Sequence, residues 1–123
     1  WIELYNTSQR AVDIGGWYLD TGPNTRAYQL RRGTRIAASG FLVLYRSQTG
    51  LVLGDEGGRV RLLNARQQLV ERVDFPALAA DASYSRKDAR TWTSEWPPTP
   101  GKVNGPPAIE RRAEPSPVAP PRR

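Results

Sequence analysis

The sequence predicts an all-β fold in which antiparallel strands form a sandwich or a barrel. From residue 1 to about residue 75, short apolar runs are separated by glycine, asparagine and threonine. No stretch keeps a helical period long enough to indicate an amphipathic helix. The apolar runs also recur at roughly the 8–12-residue spacing that is typical of small β-domains.

Six strands are expected in this region, because each run is apolar or alternating and is followed by turn-forming residues. The predicted strands are residues 1–6, 16–20, 27–30, 41–45, 60–64 and 69–75. Beyond them, residues 77–82 could form one helical turn. Residues 83–96 are expected to form a last strand or hairpin, because the prolines that follow cannot join a sheet ladder.

Alternation assigns the two faces of the first strand. Ile2, Leu4 and Asn6 fall on one side, and Glu3 and Tyr5 fall on the other. Successive side chains of a strand point to opposite faces, so the apolar pair marks the face that packs inward. We therefore expect Ile2 and Leu4 to belong to the core.

Two later strands have distinct patterns. Val60 and Leu62 are expected to point inward, which places Arg59 and Arg61 side by side on the exposed face. Residues 41–45 have no polar member. A run that is apolar on both faces indicates either a central strand or a strand whose outer face is covered by a neighbouring segment.

Composition excludes large classes of enzyme. The chain has 123 residues with no cysteine and no histidine, so it cannot assemble a disulfide, a zinc-thiolate site, a Ser-His-Asp triad or an imidazole metal site. No apolar run approaches the roughly 20 residues of a membrane span. The chain also lacks methionine and begins within strand-like alternation, so we expect it to be a segment of a longer polypeptide.

The chain is basic, with a formal net charge of +6 that comes mainly from arginine. Guanidinium groups pair well with phosphate and carboxylate, so an anionic polymer such as DNA is one candidate partner. Scattered surface arginines that only confer solubility are the alternative. The candidate residues for an anionic-polymer site are Arg31, Arg32, Arg35, Arg59, Arg61, Arg86, Lys87 and Arg90.

Other residue groups allow two interpretations. Asp55 and Glu56 could contribute to a calcium loop, or they could form a solvated hairpin turn. Tyr84, Trp92 and Trp96 could line an aromatic groove for a sugar or a peptide, or they could close the open end of the sandwich.

Trp17 is expected in the core, as a strand tryptophan often is in sandwiches. The remaining carboxylates show no spacing that indicates an acid/base pair, so we expect no catalytic residue and no enzyme activity in this chain. These carboxylates are Glu3, Asp13, Asp20, Asp74 and Asp81.

Several motifs together resemble the lamin-tail domain, a module of nuclear lamins and of many bacterial surface and secreted proteins. WIELYNTSQRAVDIGGWYLD (residues 1–20) is similar to the opening of that family. YQLRRGTRIAASGFLVLY (28–45) and GLVLGDEGGRVRLLNARQQLVERVDF (50–75) resemble its middle sections. SYSR, Trp92, TPG and Asn104 resemble its closing signature.

Three departures from the family pattern affect the prediction. The family usually has a strand before the opening motif, so an N-terminal edge strand is expected to be missing. Arg32 and Ala38 stand where prolines or small residues are usual, and Gln68 stands where a turn glycine is usual. The last two departures should loosen turns without changing the fold.

The resemblance implies an immunoglobulin-like β-sandwich at residues 1–104. Residues 105–123 are rich in proline and arginine and have almost nothing to bury, so their composition predicts a disordered linker or tail. The resemblance also implies a non-catalytic module without a cofactor or metal, belonging to a larger secreted or cell-envelope protein. Its partner would be a protein or a cell-surface polymer. The alternative is an accessory domain that binds nucleic acid for an extracellular nuclease or a DNA-uptake protein.

Overall fold

The computed structural model describes residues 1–107 and shows a fold that is almost entirely β. One four-residue helical turn, α1 (Arg46–Thr49), interrupts the strands. The strands in chain order are β1 (Ile2–Tyr5), β2 (Val12–Asp13), β3 (Tyr18–Asp20), β4 (Tyr28–Gln29), β5 (Arg35–Ile36), β6 (Phe41–Leu44), β7 (Gly57–Leu63), β8 (Leu69–Pro76), β9 (Ser85–Arg86) and β10 (Trp92–Thr93).

The strands of the described region pair antiparallel. The largest sheet has four strands in the order β4-β3-β7-β8, and β8 forms one edge of it. Smaller sheets pair β1 with β6, β2 with β5, and β9 with β10. The ladder between β1 and β6 continues past the strand ends, because the Asn6 amide donates to the Gly40 carbonyl at 3.0 Å.

The core lies between the four-stranded sheet and the smaller sheets. Leu19 of β3 is fully buried, and it packs in one cluster with Leu44 of β6 and Ile36 of β5. Val60 and Leu62 of β7 approach the same cluster from the four-stranded sheet. Side chains from both layers therefore share a single hydrophobic core, as in a β-sandwich.

The structure confirms the predicted fold class. Each of the six predicted strands coincides with an observed strand, and residues 83–96 form the β9–β10 hairpin. The predicted faces are also correct, since Ile2 and Leu4 pack against the core while Tyr5 is exposed. Strands β2 and β5 and the turn α1 were not predicted.

The apolar run at residues 41–45 is not a central strand in the part of the chain that the structure describes. Strand β6 has β1 as its one hydrogen-bonded neighbour there. The ring of Phe41 contacts the ring of Tyr5, its cross-strand neighbour on the same outer face, with centroids 4.8 Å apart. That face remains partly exposed, since Tyr5 is 50% exposed, so the contact is not the covering segment that the sequence predicted.

The disordered tail predicted at residues 105–123 falls mostly outside the described residues, which end at residue 107. Within residues 1–107, no helix has the length and apolar character needed to cross a membrane.

Candidate interaction surfaces

The outer face of strands β7 and β8 carries alternating charges. Arg59 lies directly opposite Asp74 in the ladder, and Arg61 lies opposite Arg72. Asp74 accepts from Arg59 Nε at 2.9 Å and from Arg72 Nη2 at 2.8 Å. These hydrogen bonds, that of Arg59 first, lower the pKa of Asp74. One carboxylate thus binds two guanidinium groups.

Arg61 makes the most buried ion pair among the described residues. It lies opposite Asp20 of β3, and the contact is bidentate, with Nε–Oδ1 at 2.7 Å and Nη2–Oδ2 at 2.8 Å. Asp20 is only 5% exposed and also accepts from the Gly22 amide at 3.0 Å. The hydrogen bond from Arg61 lowers the pKa of Asp20 despite its burial.

The structure therefore brings Arg59 and Arg61 to one face, as the alternation predicted, but it also gives each of them a carboxylate. A guanidinium that is held in a bidentate pair has fewer N–H groups free for an external phosphate. This face presents paired charges, and its main effect is to fix β3, β7 and β8 relative to one another.

Arg31, Arg32 and Arg35 lie together in and beside the β4–β5 turn. All three are exposed, and within residues 1–107 none of them forms an ion pair. Gly15 supports this turn at very short range, because a Cβ added there would lie 2.7 Å from the Gly33 amide nitrogen. The glycine allows the two backbones to approach and so fixes the position of the arginine loop, residues 31–35.

The third basic group lies on the β9–β10 hairpin. Arg86 pairs with Glu71 of β8, and its guanidinium lies 4.7 Å from the ring centre of Trp92. The Lys87 ammonium lies over the ring of Trp96 at 5.9 Å. The third basic residue, Arg90, is exposed and forms no ion pair within the described part of the chain. The hairpin thus uses two of its three basic side chains to hold its own aromatic residues.

The C-terminal aromatic residues pack against one another rather than standing apart. Tyr84 and Trp92 are stacked with ring centroids 5.4 Å apart. The segment that follows turns back onto the domain: the Gly101 amide donates to Glu3 Oε2 at 2.6 Å, and Asn104 Nδ2 donates to the Arg86 carbonyl at 3.0 Å. This packing agrees with the interpretation in which the segment closes one end of the sandwich.

A further surface is largely apolar, and it was not predicted from the sequence. The outer face of the β1–β6 sheet carries Glu3, Tyr5, Phe41 and Val43, and Tyr45 follows directly after β6. These five residues are called here the aromatic face. Tyr5 is 50% exposed and Tyr45 is 48% exposed. The sequence held two signals for this face, the outward position of Tyr5 and the absence of a polar residue in 41–45. Only the register of β1 against β6 brings them together.

The buried polar residue next to the aromatic face has a structural role. Asn6 is 7% exposed, and its Nδ2 donates to the carbonyls of Arg10, Ile36 and Ala37 at 2.7–3.1 Å. Its Oδ1 accepts from the amide and the hydroxyl of Ser8. This side chain ties the end of β1 to the end of β5.

Asp55 and Glu56 lie in the exposed turn that precedes β7. The Asp55 carbonyl accepts from the Leu78 amide at 3.1 Å, which joins the turn to the end of β8. Among residues 1–107, no group of three or more acidic side chains gathers in a way that could hold a metal ion.

Comparison with protein families gives one decisive match. The sequence model of the lamin tail domain matches residues 1–77. The chain belongs to the lamin tail domain family. The matched region ends just after β8, so the β9–β10 hairpin lies beyond it. No curated protein and no solved structure gives a significant match to this lamin tail domain. The family consists of immunoglobulin-like modules without catalytic activity, which agrees with the all-β sandwich described above.

Proposed function

We propose that this lamin tail domain is a non-catalytic interaction module of a larger secreted or cell-envelope protein, which it attaches to a partner protein or a surface polymer. The aromatic face carries this proposal. Two half-exposed tyrosines beside a partly buried phenylalanine can bind a partner at a low cost in conformational entropy. We expect neither a cofactor nor an enzymatic activity.

The composition of the aromatic face favours a protein partner. The rings of Tyr5 and Phe41 contact each other, which limits the rotamers that these side chains would lose on binding. Glu3 lies between the aromatic side chains, but one of its oxygens accepts from Gly101. An apolar peptide segment with a basic residue would match both features of this surface.

A selection from a displayed peptide library, using the full chain as the target, tests this function. We expect enriched peptides to bind the wild type and to lose about tenfold or more in affinity for Tyr5→Ser/Tyr45→Ser, because aromatic anchors dominate such interfaces. Val52→Ser/Val103→Ser is the matched control, since these valines are 57% and 76% exposed and lie outside the aromatic face. Equal binding to both double variants would contradict the proposal.

A second candidate function is binding of DNA or another anionic polymer. The observation that favours it is the arginine loop, whose three exposed guanidinium groups lack an ion pair within residues 1–107. Such a group suits contacts to phosphates without base specificity. The charged face of β7 and β8 supports it less, because Arg59 and Arg61 are bound to Asp74 and Asp20.

Fluorescence anisotropy of labelled duplex and single-stranded DNA, at about 50 to 300 mM salt, tests this second function. Changing the three loop arginines to glutamate should weaken the binding and reduce the slope of log K against log salt concentration by about 0.9 per lost phosphate contact on duplex DNA. The control with equal net charge is Arg10→Glu/Arg26→Glu/Arg66→Glu. The same loss in both triple variants would show a general charge effect and would reject the loop as a site.

A further inference from the structure

Strand β8 is a long edge strand with an open outer edge. It spans Leu69–Pro76 and pairs with β7, and no strand among residues 1–107 pairs with its other side. Leu69 and Val70 are 55% and 49% exposed. An open edge presents unpaired backbone N–H and C=O groups, which form a template for pairing with another strand.

We propose that a second copy of this chain binds here, with the two β8 strands pairing antiparallel about a two-fold axis at Val73. The axis would be perpendicular to the sheet, so the inner faces of both copies would remain on the same side. The four-stranded sheets of the two copies would then form one continuous eight-stranded sheet. This dimer contact is separate from the aromatic face and does not depend on the proposed function.

The charge pattern and the overlap length together select this register, because an axis nearer either end of β8 would leave about three residues or fewer opposed. Directly opposed side chains lie on the same face of a sheet, so a two-fold axis passes through one residue that faces its own copy. An axis at Glu71, Arg72 or Asp74 would place like charges directly opposite each other, which is destabilising. An axis at Val73 instead places a β-branched pair at the centre.

The same register forms two ion pairs across the contact. With Val73 at the axis, Arg72 of each copy lies opposite Asp74 of the other, on the outer face. In the single chain these two side chains already bind each other, with Arg72 Nη2 at 2.8 Å from Asp74 Oδ2. Both therefore lie on the correct face and need only a change of rotamer to exchange partners. A bulge at Val70 interrupts the β7–β8 ladder, so the regular overlap extends from Glu71 to Phe75 in both copies.

Sedimentation equilibrium of the full chain tests the proposal. We expect a dimer whose dissociation constant rises about tenfold or more in Arg72→Asp and in Asp74→Arg, because each change opposes like charges twice. An equimolar mixture of the two variants should restore dimerisation. In that heterodimer the new aspartate of one chain would face the new arginine of the other, and the unchanged Asp74 and Arg72 would face each other.

Recovery on mixing separates the contact from a folding defect, because an unfolded variant would not be rescued by another variant. Arg26→Asp is the matched control: it has the same charge change as Arg72→Asp, lies in the β3–β4 loop, and should leave the dissociation constant unchanged. A wild type that stays monomeric up to about millimolar concentration would overturn the proposal. A mixture no more dimeric than its components would overturn it as well.

Discussion

Asp20 and Arg61 lie opposite each other on β3 and β7 and form a bidentate ion pair on the outer side of the four-stranded sheet. The pair joins residues 41 positions apart in the chain. Because Asp20 is almost fully buried, its charge must be balanced within the fold. The pair is therefore part of what positions β3 against β7.

Removing the buried carboxylate of Asp20 should lower the free energy of unfolding more than removing the exposed carboxylate of Asp74. Asp20→Ala leaves Arg61 without its bidentate partner and the Gly22 amide without its acceptor, so we expect the free energy of unfolding to fall by about 2 kcal/mol. Asp74→Ala removes a carboxylate from solvent-exposed pairs and should have a much smaller effect. Urea denaturation measures both, and equal losses would contradict the structural role of the buried pair.

The same pair predicts the acid sensitivity of the domain. Arg61 lowers the pKa of Asp20 in the folded state relative to its unfolded value of about 3.9. The resulting stability is fully present above the unfolded pKa and is lost as the pH falls through the folded pKa. The difference in Tm between wild type and Asp20→Asn should thus be constant above about pH 5 and narrow below about pH 4. A difference unchanged down to about pH 2 would contradict the pairing.

Substitution of Asn6 should destabilise the fold about as much as substitution of a core residue. Its side-chain Nδ2 donates to three backbone carbonyls, and one of these hydrogen bonds is fully buried. Asn6→Ala leaves those acceptors unsatisfied, so we expect a loss of about 2 kcal/mol in the free energy of unfolding. The exposed neighbour Gln9→Ala is the control and should change stability by less than about 0.5 kcal/mol. Similar values for the two variants would show that water replaces the lost donor.

The packing of the β9–β10 hairpin on the domain should depend on the side chain of Trp92. This ring stacks on Tyr84 and lies beside the Arg86 guanidinium. Trp92→Ala should therefore speed amide hydrogen exchange at residues 85–93 and at Gly101, while the amides of β3 and β7 keep their protection. Exchange rates in the hairpin that do not change would indicate that the aromatic stack does not hold this segment on the domain.

Sequence patterns predicted those features of the fold that depend on side-chain alternation within a single strand. The alternation in β1 and β7 assigned the inner and outer residues correctly, because its period depends only on local geometry. Strands β2 and β5 were not predicted, although β4, which is equally short, was predicted from the apolar residues around it. Turn chemistry at the ends of the longer strands nevertheless bounded the six strands that were predicted.

The charged face and the aromatic face could not be predicted fully from the sequence, because contacts between residues far apart in the chain form them. Arg59 and Arg61 could be placed on one face, but the pairing of Arg61 with Asp20 requires the order of β3 and β7 in the sheet. The aromatic face likewise depends on the register that sets Tyr5 opposite Phe41. Neither relationship follows from local spacing, because both partners lie on separate strands.

The most direct test of the proposed function is chemical-shift mapping on the full chain labelled with nitrogen-15, titrated with the peptide enriched in the library selection. The largest amide shifts should lie in β1 and β6, around Tyr5, Phe41 and Tyr45, and they should saturate with the peptide. Shifts confined to the arginine loop or to β7 and β8 would contradict the proposed function, because they would place the partner on a charged surface instead of the aromatic face.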